Sequence, residues 1–570
     1  MRRVLARGYR SADLRADIMA GALVGIVALP LSMALAIAVG VAPQHGLYTA
    51  ILAGSIVALL GGCKFQVTGP TAAFVVILSP ITSQFGLSGL LTAGALAGVF
   101  LIIMGAARLG ALIRFVPYPV TTGFTTGIAT VIAALQMKDA FGLEPGKLPD
   151  HFFERMVALW HARGTASWPD ALVALVTFSL LIGIPRVLKK IPAPLIAIGL
   201  TSAAVATLQH FYPSLLVATI GTRFTTVSGG VTLHGIPRIP PMPGLPWGTR
   251  ALSFGDVREL LSAAVAIALL GAIESLLSAT IADGMTNTKH DPNAELVALG
   301  IGNVVTPFFG GIPATGALAR TATNIRSGAR SPIAAVTHSA VVLLSILAFA
   351  PLVAYVPMAS LAALLVLVAW NMSEARNFVA VVRVAPKSDV AVLLTCYLLT
   401  VLFDMVIAIS VGMVLASFLF MRRMAGLTES RLRLESVTDD EDAEEIWPPG
   451  VIVYEIDGPL FFGAAQTAMS TLHASRSDGF KVLVLDLARV PVIDATGLVA
   501  LENAIAGVLR QRKQVIVSGP LPRPRSIFDK AKLAKKYPGL LIAETRSAAF
   551  DFLREANEPL DGQTRATLSR

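Results

Sequence analysis

Apolar stretches long enough to cross a bilayer recur from near the N-terminus to about residue 424, and beyond that point short apolar and polar runs alternate. In the first half the pattern predicts spans at about Ile18–Val41, Gly46–Leu60, Leu87–Ala107, Val116–Gln136, Ala171–Val187 and Leu195–Leu208. In the second half it predicts Leu260–Ala282, Val297–Phe309, Ala334–Val353, Ala359–Trp370, Val390–Leu402 and Met405–Phe420. Two further apolar pieces are too short to span. One runs from Val67 to about Pro80 and contains Thr68-Gly69-Pro70-Thr71-Ala72-Ala73; the other, Gly310 to Asn324, reads GGIPATGALARTATN. Gly and Pro are tolerated at membrane depth only where the freed backbone is buried in protein or lines a polar cavity. Pro also suits a first helical turn, whose N–H has no partner anyway. Each piece therefore reads as extended chain leading into a short helix that starts inside the membrane. Pro30, in Leu29-Pro30-Leu31-Ser32-Met33, kinks the first span and frees carbonyls near mid-bilayer.

With the short helices the count is about 14 segments, and an even number places both termini on one face. The Arg-rich start, Lys64, Arg108, Arg114, Arg186, Lys189, Lys190, Arg422 and Arg423 mark that face as cytoplasmic. Met137 to Asp170 and Tyr212 to Gly255 read as outside loops. Val67 to Ala73 matches Ala314 to Arg320 at an offset of 247 residues, which carries Thr68 onto Thr315. Seven segments then fall on each side of the midpoint. An odd number per half inverts one half relative to the other, and interrupted segments at matching places in two inverted halves point to a transporter binding site. Arg320 stands where the first half has Ala73.

Composition fixes the class. A chain of 570 residues that is 54% hydrophobic and 14% charged, with mean hydropathy +0.70, is a polytopic membrane protein. Its net charge of +10 is spread over short loops, so positive-inside bias accounts for it and nucleic acid is not a partner. Cys63 and Cys396 lie apart, without disulfide or zinc spacing. No phosphate-binding loop, nucleophile elbow or metal motif occurs, so the reading is of a non-enzyme without metal or organic cofactor.

Two charges sit in apolar surroundings. Arg320 follows a Gly/Pro break at the start of a helix, so a full cation and the positive end of a helix dipole coincide, which suits an anion. The bland alternative is a loop arginine reaching for headgroups. Glu274, in Leu269-Leu270-Gly271-Ala272-Ile273-Glu274-Ser275-Leu276-Leu277-Ser278, is placed to take and release a proton, or with Ser278 one turn on to hold sodium. Its bland alternative is a structural ion pair with Arg320. Glu374 and Asp404 fall near span ends and read as capping or loop residues. His45, His290 and His338 show no metal spacing and receive no role.

The region 1–424 is the membrane part. An acidic linker follows at 425–450, with Asp439 to Glu445 as a solvated hinge, then a soluble α/β domain at 451–557 and a polar tail at 558–570. Strands are predicted at Val451–Ile456, Lys481–Leu487, Gln514–Ser518 and Leu540–Ala543. Helices are predicted at Ala464–Ser475, Thr496–Gln511, Ser526–Lys536 and Ser547–Ala556.

Leu29 to Ala36, Val41 to Tyr48, Val67 to Ala73 and the Gly310 stretch together resemble the sulfate permease family of anion transporters. Val453 to Leu460 and Leu485 to Leu498 resemble a STAS domain. The likeness covers nearly the whole chain. It implies an inverted repeat of seven plus seven segments, divided into core and gate, with an elevator-like motion of the core and a homodimer. It also implies an anion held by Pro30, Leu31 and Ser32, by Thr68, Gly69, Pro70, Thr71, Ala72 and Ala73, and by Thr315, Gly316, Ala317, Leu318, Ala319 and Arg320. Glu274 and Ser278 match the family's ion-coupling position. Many members carry Pro-Gln where this chain has Pro30-Leu31, which removes a polar contact and weighs against sulfate. The wording around Gly46 to Tyr48, Thr68 to Phe74, Gly284 to Lys289 and Trp370 to Glu374 is most similar to the bacterial aerobic C4-dicarboxylate branch. The expectation is proton-coupled dicarboxylate uptake across a bacterial inner membrane. The alternatives are sulfate or bicarbonate transport, with sodium as a possible coupling ion, and a non-transporting scaffold that recruits cytoplasmic partners through its STAS domain. Thr496 matches the phosphorylation site of STAS anti-sigma antagonists, and an N-cap hydroxyl is its other reading.

Overall fold

A computed structural model gives the fold; it describes the chain apart from residues 1–8, 112–115, 147–148, 150–151, 189–191, 214, 229–230, 249–253, 404, 426–428, 434–446, 462–464, 466–479 and 558–570. Asp404, the acidic run, the tail and nearly all of the helix expected at Ala464–Ser475 lie outside the described residues. The chain divides into two compact units, Met1–Val414 and Leu415–Arg570.

In the first unit α1 (Ser11–Val39) and α2 (Pro43–Leu60) lead to the two-residue strand β1 (Thr68–Gly69) and to α3 (Ala72–Ala106). At about 1.5 Å per residue α3 is too long for one crossing of a bilayer core of about 30 Å. Gly86, at φ 67° and ψ −170°, divides it into a short helix and a full span. The sequence reading ended the short helix near Pro80. Pro80 instead lies inside it, and Gly86 makes the turn because this backbone conformation is nearly closed to residues with a Cβ. Next come α4 (Tyr118–Ala140), α5 (Trp168–Val187) and α6 (Ala193–Phe211). The second half mirrors this order: α7 (Phe254–Thr286), α8 (Pro292–Val305), then a strand at Thr315–Gly316 and the short α9 (Leu318–Arg326). It closes with α10 (Ile333–Val353), α11 (Met358–Met372), α12 (Ala375–Val384), α13 (Lys387–Leu402) and α14 (Met405–Ala425). Among the described residues ten helices are long and apolar enough to cross a membrane. The expected loops are not wholly irregular: Phe152–His161 is a helix, and Thr225–Ser228 pairs with Val231–His234 as a hairpin.

Packing sorts these helices into two groups. α8 and α7 lie on α3, and α10 lies on α1 and α2, which makes a core from the matching first four segments of each half. α11 and α13 lie on α4, and α11 also on α5, which makes a gate. Small residues allow the closest approach in the core. A Cβ on Gly98 of α3 would lie 2.6 Å from the Gly300 carbonyl oxygen on α8.

The second unit carries a five-stranded sheet: Glu429–Arg433, Val451–Asp457, Val482–Arg489, Gln514–Ser518 and Leu540–Ala543, hydrogen-bonded in that order. The first pair is antiparallel and the rest parallel. Alternation along Val451–Asp457 sends Ile452 and Tyr454 to one face and Val451 and Val453 to the other, and both faces are covered. The helices are Ala495–Leu509, Pro522–Ala531, Leu533–Lys536 and Arg546–Asn557. Glu429–Arg433 corrects the sequence reading, which placed residues 425–450 wholly in a linker; with one paired edge and alternating charge, its Glu-Ser-Arg-Leu-Arg lacks the apolar run that marks a central strand.

Candidate functional site

The two interrupted segments meet. Thr68 pairs with Gly316 and Gly69 with Thr315 in an antiparallel bridge, so the motifs matched in sequence are bonded to each other in space. Side chains satisfy the backbone that the breaks set free. Asn303 of α8 holds Ala314 through two bonds of 2.8 Å, donating Nδ2–H to its carbonyl and accepting its N–H. Thr49 donates to the Ile312 carbonyl at 2.9 Å, Thr315 to the Gly271 carbonyl at 2.9 Å, and Asn324 to the Phe65 carbonyl at 2.9 Å. His45, given no role from sequence, donates Nδ1–H to the Gly310 carbonyl at 2.6 Å. Because these groups are met inside the protein, irregular chain is tolerated at this depth.

Both α3 and α9 begin at this bridge without a side-chain cap. Their first-turn N–H groups and dipoles converge on a cavity of about 260 Å³. Its core wall includes Leu31, Thr71, Ala73, Glu274 and Arg320, and its gate wall includes Phe124, Thr125, Val368, Asn371, Met372 and Glu374.

Arg320 is 3% exposed. Its Nη2 donates to Ser32 Oγ at 3.1 Å and to the Pro70 carbonyl at 3.3 Å, while Nε and Nη1 have no hydrogen-bond partner. Gly69 makes room for it, since a Cβ there would stand 2.5 Å from Nη1. Glu274 does not pair with it: Oε2 accepts the Thr71 hydroxyl at 2.9 Å. The structural ion pair is therefore absent, and so is the loop arginine. Two unpaired guanidinium donors at a cavity wall remain available to an anion.

Of the residues predicted to bind, Leu31, Pro70 to Ala73, Gly316 to Arg320 and Glu274 line the cavity. Ser32 and Gly69 act through Arg320, and Thr68 and Thr315 are buried in the bridge. Pro30 is buried within α1. Ser278 does not line the cavity; its hydroxyl donates to Thr321 Oγ1 at 3.1 Å, which leaves the oxygen's lone pairs free. The gate wall went unseen; Glu374, read from sequence as a capping or loop residue, lies on it and also at the start of α12, where it accepts Asn377 Nδ2–H at 3.0 Å. In the soluble unit the cap of Ala495–Leu509 is Asp494, which accepts the Gly497 N–H at 2.6 Å. That corrects the capping reading of Thr496, which is exposed in the first turn of this helix.

Residues 14–396 match the sulfate permease family, and residues 446–549 match the STAS domain. The chain belongs to the sulfate permease family. It is 40% identical over 530 residues to "Putative sulfate transporter YvdB" of Bacillus subtilis, covering 93% of this chain and 96% of that one. It is 30% identical over 548 residues to "Bicarbonate transporter BicA" of Picosynechococcus, covering 92% of each. The structure of the transmembrane domain of a cyanobacterial BicA superposes with a TM-score of 0.59 at 25% identity, covering 72% of this chain and 98% of that one. The structure of the murine Solute Carrier 26 family member A9 anion transporter has the same fold, with a TM-score of 0.82 at 17% identity over 97% and 93% of the two chains. This member of the sulfate permease family is thus a multi-pass membrane anion transporter and not an enzyme. None of the relatives named here is a dicarboxylate carrier, which leaves the expected branch without support.

Proposed function

We propose that this transporter carries a small inorganic oxyanion of the sulfate and bicarbonate class, with Arg320 as its countercharge and Glu274 as the seat of a coupling proton or sodium ion. The observation that carries this reading is the Arg320 guanidinium, buried at two uncapped helix starts with two nitrogens unpartnered. Relatives named for sulfate and bicarbonate support the substrate class. The charges around the cavity favour it over a C4-dicarboxylate as well: Arg320 is the one cation among the described lining residues, whereas Glu274 and Glu374 are acids. A second substrate carboxylate would therefore meet a like charge. The core bears the anion and the coupling residue together and moves against the gate wall. A homodimer in a bacterial inner membrane, with both termini cytoplasmic, completes the proposal.

Uptake into proteoliposomes tests it. Labelled sulfate, bicarbonate and succinate are offered with and without a proton or sodium gradient. Saturable flux of sulfate or bicarbonate, with succinate excluded, is the expected result. Flux of succinate alone would restore the dicarboxylate reading, and no flux of any anion would favour the scaffold.

A further inference from the structure

The reading above leaves one buried carboxylate without a task. Glu295 of α8 is 0% exposed. Its Oε2 accepts the Cys63 N–H at 2.9 Å and its Oε1 accepts Gln66 Nε2–H at 2.8 Å. None of the ion pairs among the described residues includes it. Its ionisable surroundings do not supply a countercharge. Asp291, the cap of the same helix, is another acid, and Asp283 of α7 is engaged with His290 at 2.7 Å. The covering loop contributes the Cys63 thiol and Lys64, and Lys64 makes no ion pair with Glu295 among the described residues. A carboxylate in such a place sheds the cost of its buried charge by taking a proton. Gly61, Gly62 and Lys64 are partly exposed, which leaves that proton a short way out.

Gln66 links this carboxylate to the site. Its Nε2 also donates to Ser275 Oγ at 2.6 Å, its Oε1 is buried without a partner, and Ser275 is the neighbour of Glu274 on α7. A Cβ on Gly316 would lie 2.4 Å from Gln66 Nε2, so this amide packs directly against the bridge strand. A primary amide fits such a place in two orientations. With Glu295 ionised, the NH₂ group faces both Glu295 and Ser275, as observed. With a proton on Glu295 Oε1, the reversed amide accepts O–H from both at its single oxygen.

We propose that Glu295 is a second protonation site of this transporter, and that its charge state is passed by reversal of the Gln66 amide to Ser275, the neighbour of Glu274 on α7, and to the bridge strand that leads into the helix bearing Arg320. One proton enters and no covalent bond between heavy atoms changes. The proposal rests on the transport reading, but its first test does not.

The test is infrared difference spectroscopy of the full chain in lipid vesicles, titrated between about pH 5 and about pH 9, a range that brackets perturbed carboxylates. A carbonyl band of a protonated buried carboxylic acid is expected in the wild type, kept in Glu274→Gln and lost when Glu295→Gln is added to that variant. Anion exchange measured over the same range is expected to lose one titrating step in Glu295→Gln. Ser275→Ala, which leaves the carboxylate in place, is expected to keep the band and shift its midpoint, an effect that a purely structural role would not produce. With Glu274→Gln as background, the band persisting when Glu295→Gln is added would overturn the proposal, as would an unmoved midpoint in Ser275→Ala if Glu295→Gln does not fold. Absence of anion flux in the wild type would instead overturn the transport reading and leave the infrared result to decide for Glu295.

Discussion

At matched places in the two half-helices stand Ala73 and Arg320, and nearly everything else about the pair is shared. Both segments are extended for two residues, both are bonded to the other across the bridge, and both helices start uncapped toward one cavity. The difference lies in what the side chains address. From the first, Thr71 reaches the coupling carboxylate Glu274; from the second, Arg320 reaches the cavity and is steadied by Ser32 and the Pro70 carbonyl. Backbone symmetry thus supplies two dipoles, and broken side-chain symmetry divides the labour between anion and coupling ion. A duplicated scaffold can be specialised at one position without disturbing the bonds that hold its twin.

The most severe way to break this division is Arg320→Ala. Truncating one partner of a buried charge interaction costs about 2–5 kcal/mol, so anion uptake by proteoliposomes is expected to fall by about 100-fold or more. Adding Ala73→Arg to that variant is expected not to restore uptake, because the acceptors that steady Arg320, Ser32 Oγ and the Pro70 carbonyl, belong to the first half and are placed to meet a guanidinium arriving from the second; recovered flux would show the halves to be interchangeable. Gly69→Ala comes next. Its Cβ would press on Nη1 at 2.5 Å, and overpacking of about 1–3 kcal/mol predicts a KM for the anion raised about tenfold. Thr71→Val removes the hydroxyl from Glu274 and sharpens the comparison from the other side. The coupling-ion dependence of flux is expected to shift about tenfold while the anion KM stays put, as fits one hydrogen bond to a charged group at the low end of its range, about 1.5 kcal/mol. An equal change in both would join the two tasks again. Ser32→Ala has the smallest effect, a KM raised about threefold, since Pro70 still holds the guanidinium and a net hydrogen bond is worth about 1 kcal/mol.

The half-helices were legible because Gly and Pro interrupt apolar runs at two places that repeat, and Arg320 because a lone cation in such a run has few bland explanations. The gate wall was not. Val368 lies in a run that is apolar on every side, where no periodicity tells a cavity face from a lipid face, and Phe124 and Met372 stand among threonines or at a span end with no break to single them out. The contact of Ser278 with Thr321 was not legible either, because it joins α7 to α9 across the fold and no local pattern announces it. Glu295 was overlooked for a local reason. In His-Asp-Pro-Asn-Ala-Glu it reads as first-turn acid at a helix start, which is a solvated place in most proteins. Its burial comes from Gln66 and Cys63, more than two hundred residues earlier. In the soluble unit the parallel strands followed from their β-branched runs, whereas the charged edge strand offered no such signal.

The bridge between Thr68 and Gly316 also dates the site within the life of the molecule. The first half-helix is synthesised and inserted well before its partner exists, with the donors and acceptors of Val67 to Gly69 still unmatched by Thr315 to Ala317. Closing a loop of this length is slow relative to local helix formation, and unmatched backbone is costly in lipid. The nascent first half must therefore wait in a protected state, sheltered by water at the membrane surface or by insertion machinery, until the second break emerges. Assembly of the anion site is the step that commits the two halves to each other, and a chain that stalls before residue 316 has helices but no place to hold its cargo.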